Sequence, residues 1–174
     1  LFPYTTLFRS RSTSQEKYQF PEELKKAYES SPLSFVYYQN INGQAVPILV
    51  SDGFCTNTGI PREIVTDWLL SGLFERMHPD DVSTLSQISD DFLHGRGVYD
   101  TIFRCRLERV HTDISSGDIP AEEQYAFIHG IGKWQTMPDG TQLAVITYAN
   151  LSNTQESTMQ GFDAYMNLRH DNSY

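Results

Sequence analysis

Hydrophobic and polar positions change period several times along this chain, and each change marks an element. Aromatic and β-branched residues run together over residues 35–41, Asn42-Gly43 interrupts them, and residues 45–50 are apolar again. Asn-Gly between two such runs predicts a hairpin, because both residues accept the positive φ of a tight two-residue turn. Over residues 99–107 the pattern alternates, with Tyr99, Thr101, Phe103, Cys105 and Leu107 on one side and Asp100, Ile102, Arg104 and Arg106 on the other. That period of two is a half-buried strand. Two further strands are expected over 125–135 and 143–151, turned into one another by Pro138-Asp139-Gly140.

Between the hairpin and Tyr99 the period is helical. After a polar stretch through Gln19, Pro21 followed by Glu22 and Glu23 opens a short helix that ends before Pro32. Proline fits the first turn, and the acids meet the positive end of the backbone dipole. Ser51 to Gly59 reads as short helix and loop. A helical stretch around 64–70 starts from Pro61-Arg62-Glu63, Gly72 interrupts it, and residues 73–77 form another turn. Pro79 then opens the longest helix, which carries Val82, Leu85, Ile88, Phe92 and Leu93 at near-helical spacing until Gly95 and Gly97 stop it. Ser152 or Asn153 caps a last helix over 152–170, weakened by Gly161, with Met159, Phe162, Met166 and, more weakly, Tyr165 as its apolar stripe.

The order is therefore α+β, with the first hairpin and the last three strands pairing into one five-stranded antiparallel sheet. A chain of 174 residues suits one core with flanking helices. Its net charge of −9 opposes nucleic acid and anionic membrane as partners, since both require clustered Lys and Arg. Cys55 and Cys105 form neither a disulfide framework nor a metal pattern, which fits a reducing, cytoplasmic setting. Residues 1–10, Leu-Phe-Pro-Tyr-Thr-Thr-Leu-Phe-Arg-Ser, read as the in-frame translation of a sequencing adapter and are set aside from fold reasoning. The true start is then open, and a membrane segment could lie upstream of it.

This order of elements, together with His78-Pro79-Asp80-Asp81 opening the helix before a Tyr99…Phe103-Arg104 strand, resembles the PAS fold over residues 33–151. The segments 50–55 (VSDGFC), 99–104 (YDTIFR) and 128–133 (IHGIGK) are similar to the amino-terminal PAS sensor domains of bacterial GGDEF/EAL signalling proteins, the diguanylate cyclases and phosphodiesterases. The resemblance implies short helices on one sheet face enclosing a pocket, flanking helices at both ends, and a sensory domain without catalytic residues. Residues 11–32 would be an amino-terminal flank and 152–174 a connector to an output domain, of GGDEF type, that makes or breaks down cyclic-di-GMP. A homodimer through the terminal helices or a sheet face is expected. The competing readings are a dimerisation module whose pocket is filled by its own aromatics, and the sensor of a histidine kinase.

Phe54, Trp68, Phe74, Tyr99, Phe103 and Phe127 are the candidate pocket walls. His129 is either a pocket group able to titrate near neutrality or a surface residue, because alternation does not say which face is inner. Arg104 and Lys133 could clamp a carboxylate, although pairing of Arg104 with Asp100 or another acid is favoured. The His78-Pro79-Asp80-Asp81 run reads as a helix cap and not a metal cluster. Haem is not expected, His94 being the one candidate axial ligand. Neither Phe54-Cys55-Thr56 nor Arg104-Cys105-Arg106 matches the cysteine motif of flavin photoreceptors, and both thiols read as small core hydrophobes. Gly130 and Gly132 leave one sheet face flat, which marks a surface for a helix or a second subunit.

Overall fold

A computed structural model describes residues 16–106 and 125–151. The first hairpin pairs β1 (Phe35–Ile41) with β2 (Gln44–Val50) through Asn42 at φ 54° and Gly43 at φ 83°. Those two positive values are the reason Asn-Gly stands there. After α1 (Glu22–Glu29) and the hairpin, the chain runs through α2 (Asp52–Thr58) and α3 (Arg62–Asp67) into a turn of π-helix (Trp68–Gly72) and α4 (Leu73–Arg76). The long α5 (Pro79–Leu93) precedes β3 (Tyr99–Cys105), β4 (Ala126–Thr136) and β5 (Gln142–Asn150). The five strands form one antiparallel sheet in the order β2-β1-β5-β4-β3, so the last strand lies in the middle and pairs with the first. Residues 1–15, the expected helix over 152–170 and the polar stretch 107–124 lie outside the described residues.

Each sheet face has its own apolar cluster. On the inner face Val36, Tyr38, Tyr99, Phe103, Ile128, Ala144, Ile146 and Tyr148 meet Phe54, Val65 and Trp68 from the short helices, Ile60 from the link between α2 and α3, and Leu85 and Phe92 from α5. Burying an aliphatic or aromatic side chain of this size contributes roughly 1.5–3 kcal/mol, so this cluster holds the helices down. On the outer face Phe20, Tyr37, Leu49, Met137 and Leu143 pack together, with Tyr18, Tyr28 and Phe35 at their margin. The stretch before α1, polar by composition, is caught there by Gln39. That buried amide accepts from the Tyr18 backbone N–H at 2.7 Å and donates to the Glu16 carbonyl at 3.0 Å.

The start of α5 is fixed from both sides. The His78 ring nitrogen accepts from the Asp80 backbone N–H at 3.3 Å, and Pro79 occupies the first turn. Asp81, 4% exposed, receives the Arg104 guanidinium at 2.8 and 3.0 Å and the Arg104 backbone N–H at 2.8 Å. A carboxylate buried to that degree is tolerated because a bidentate cation and an amide satisfy it. Helix α5 is thereby stapled to β3.

A candidate ligand cavity between the sheet and the long helix

The inner layer is filled at one end and open at the other. At the filled end Phe54, Thr58, Trp68, Leu69, Phe103, Cys105 and Ile128 leave a void of only about 10 Å³. Trp68 begins the π-helical turn, and its buried indole N–H has no hydrogen-bond partner among the described residues. Burial pushes the Cys105 thiol up to about 12 and raises Cys55 as well, so neither is a thiolate near neutrality. Both behave as core groups, as their sequence context suggested.

At the open end lies a cavity of about 370 Å³. The sheet supplies Tyr38, Tyr99, Ala144, Ile146 and Tyr148 as its floor, and α5 supplies Ser86, Ser89, Asp90, Phe92 and Leu93 as one wall. Leu69, Leu70 and Phe74 close it from the π-helical turn and α4, and Gly43, Gln44 and Ala45 from the hairpin tip. Leu70 and Phe74 are 51% and 48% exposed, an apolar rim. The size falls within the range of small-molecule pockets, roughly 300–1,000 Å³, and the lining is of the usual kind, mostly apolar with a few polar groups.

Those polar groups are connected. The Tyr38 and Tyr148 hydroxyls share a hydrogen bond at 3.1 Å, and the Tyr99 phenol interacts with Tyr148 and Ser89 beside them. Burial raises all three phenols above the ordinary tyrosine value, so each stays a neutral hydroxyl that can both donate and accept. Two glycines make room for the rings. A Cβ on Gly130 would stand 2.8 Å from the Tyr99 ring and 3.5 Å from that of Tyr148. One on Gly132 would stand 2.8 Å from the Tyr99 Cβ and 3.0 Å from the Phe92 ring. The flat strip expected to receive a second subunit therefore faces inward, and the protein's own aromatics lie on it.

Of the residues singled out from sequence, Tyr99 and Phe74 border this cavity, while Phe54, Trp68 and Phe103 line the filled end. Phe127, His129 and Lys133 occupy the alternate positions of β4 to Ile128, Gly130 and Gly132, and so face the other side of the sheet. His129 Nε2 stands 2.7 Å from the Asp100 carboxylate there. Arg104 is taken up by Asp81 and not by a ligand. His94 ends α5 and turns back onto Asp90, its Nδ1 2.7 Å from the Asp90 carbonyl and 3.2 Å from its carboxylate. Tyr38, Tyr148 and Ser89 were not reached by sequence reasoning. The signal that could have found Tyr38 and Tyr148 is the alternation of β1 and β5 once their mutual register is known.

Strand order, the helices α2, α3 and α5 gathered over one face and the cavity beneath them make this a PAS-like α+β domain. No family model matches the chain, and no curated protein matches it. Among solved structures it is similar to the crystal structure of a sensory box histidine kinase/response regulator from Burkholderia thailandensis E264, at 16% identity and a TM-score of 0.44 over 86% of this chain and 99% of that one. Among the described residues no helix is long and apolar enough to cross a membrane, and no group of three or more metal-ligating side chains comes together.

Proposed function

We propose that this chain is a sensory domain whose cavity takes up a small molecule and whose occupancy biases an attached output domain. The observation that carries the reading is the open end of the inner layer: about 370 Å³ left unfilled beside an end packed to a void of about 10 Å³. A module that served only to dimerise would gain stability by filling that space, since each buried methylene contributes about 0.8 kcal/mol. Ligand binding would order the hairpin tip, α4 and α5 around the cavity, and any difference in affinity between two arrangements of those elements shifts their populations. The output we assign, synthesis or breakdown of a cyclic dinucleotide, draws its support from the similarity of segments 50–55, 99–104 and 128–133 to sensors of that class. Self-association through the terminal segments belongs to the same proposal.

The test is a thermal-shift screen of the 174-residue chain against a panel of metabolites, repeated with Ser86→Trp. Ser86 is an exposed residue on the α5 wall, so an indole there obstructs the cavity without entering the core. The expected result is a ligand that raises the melting temperature of the parent chain and not that of the variant. A panel without any shift, or shifts that survive Ser86→Trp, would overturn the cavity as the sensing site.

A further inference from the structure

The wall of the cavity is nearly free of charge. Among the described residues that line it Asp90 is the one ionisable group other than the tyrosines, and it sits at the rim, paired with Arg96 and His94. No Lys, Arg or His among the described residues lines the cavity. An anionic ligand would thus lose its hydration with no cation to replace it, and the sole charge it met would be negative. A cation would fare little better, since Asp90 already holds a guanidinium and its side chain is 54% exposed. Apolar contact from Leu69, Phe92, Ala144 and Ile146 is what the walls offer instead.

The polar feature of the floor is the cluster of Tyr38, Tyr148 and Tyr99 hydroxyls with Ser89 beside it on α5, in which Tyr38 and Tyr148 share a hydrogen bond at 3.1 Å. That bond engages one of the two O–H donors of the pair and leaves the other, along with unfilled acceptor lone pairs. Because hydroxyls rotate, the pair can point its bond in either direction and present either a donor or an acceptor to a bound oxygen. Phenylalanine at the same positions would have walled the cavity as well, so what the phenols add is selection for a ligand with an oxygen to offer. A site built to hydrogen-bond discriminates against an analogue lacking the partner group.

Resting on the reading of the cavity as a ligand site, we propose that its ligand is an uncharged, largely apolar molecule that sets one hydroxyl or carbonyl oxygen on the hydrogen-bonded Tyr38–Tyr148 pair. The test uses one carbon frame with four substituents, titrated at pH 7 into the 174-residue chain by calorimetry: 2-naphthol, naphthalene, 2-naphthoate and 2-(aminomethyl)naphthalene as its ammonium ion. The neutral naphthol should bind at least about tenfold tighter than either ion, the factor that corresponds to 1.4 kcal/mol. In Tyr38→Phe/Tyr148→Phe, checked for an unchanged cooperative melt, naphthol should lose about five- to tenfold while naphthalene stays within about twofold, the scale of one lost hydrogen bond. If that variant does not fold, the ranking of neutral over ionic probes by the parent chain decides. Tighter binding of either ion, or naphthol binding indifferent to the two phenols, overturns the ligand class and leaves the cavity standing as a ligand site. Failure of all four probes to bind overturns both.

Discussion

Tyr37 and Tyr38 are neighbours on β1, yet their side chains enter different environments. Tyr37, on the outer face, stacks on Tyr28 with ring centres 5.7 Å apart and planes 18° apart, and meets the edges of Phe20 and Phe35. Its hydroxyl reaches Gln135 at 2.9 Å. Tyr38, on the inner face, joins a hydroxyl cluster beside an open cavity. The pairing of β1 with β2 shifts register between these two residues, so the local twist changes where the faces diverge. The contrast separates two uses of one residue type. Outside, the chain supplies its own filling from residues 16–29, and the rings serve packing. Inside, the filling stops short, and the hydroxyls remain available.

The largest effect should come from the staple that holds α5 to β3. Asp81→Ala removes the acceptor that the Arg104 guanidinium and backbone N–H share, and breaking a buried pair by removing one partner costs about 3 kcal/mol. The unfolding free energy from denaturant titration should fall by that amount, and the midpoint by that amount divided by an unchanged slope. A loss below about 1 kcal/mol would mean that apolar contacts alone hold α5. Next comes the inner face by itself. Gly132→Ala forces a methyl to 2.8 Å from Tyr99 and 3.0 Å from Phe92, and overpacking of that kind costs about 1–3 kcal/mol. Its neighbour on the other face, Ile131, is 40% exposed, and Ile131→Ala should stay within about 0.5 kcal/mol. Equal losses at both positions would erase the distinction between the faces.

A smaller effect is expected where the amino-terminal flank is held. Gln39→Ala removes both hydrogen bonds that bind residues 16–18 to the sheet, for about 1–2 kcal/mol. Amide exchange should accelerate over residues 16–20, with the amides of α5 and β3 unchanged. Acceleration throughout the domain would show that the outer cluster is part of the same cooperative unit as the cavity.

How legible all this was depended on the distance over which each feature is encoded. The hairpin could be read because Asn42 and Gly43 carry its geometry themselves, and α5 because His78 and Pro79 form its cap within two residues. Strand β3 announced its inner side through Tyr99, Thr101 and Phe103. The cavity was harder to read, since Tyr38 and Tyr148 meet across 110 residues through the pairing of Tyr38 with Ala144 and Tyr148 with Gly130. No local pattern fixes that register. The same gap hid the partner of Arg104, which lies 23 residues earlier, and left His129 undecided between two faces. It also concealed the part played by residues 16–20, whose polar composition says nothing of a buried glutamine waiting for their backbone. The two glycines of β4 looked like a surface feature because their partners, Tyr99, Tyr148 and Phe92, come from other elements.

The last effect is nil at neutral pH and appears only in alkali. Tyr38, Tyr99 and Tyr148 are raised above the ordinary value of 10.0 chiefly by burial, and Tyr37 is raised to about 12 by burial and by Tyr28. In each case the folded chain holds its phenolic proton more tightly than the unfolded chain. The linked stability is fully present below pH 10 and is lost as pH climbs through the folded values. Spectrophotometric titration should therefore show Tyr37 ionising about two units above the ordinary tyrosine value and the inner three later still, together with unfolding. Tyr37→Phe should delete the earlier of these steps without moving the last one. If all tyrosines ionise together near pH 10 while the chain stays folded, the inner phenols are open to water, and the hydroxyl cluster is not the buried floor that distinguishes this face from the other.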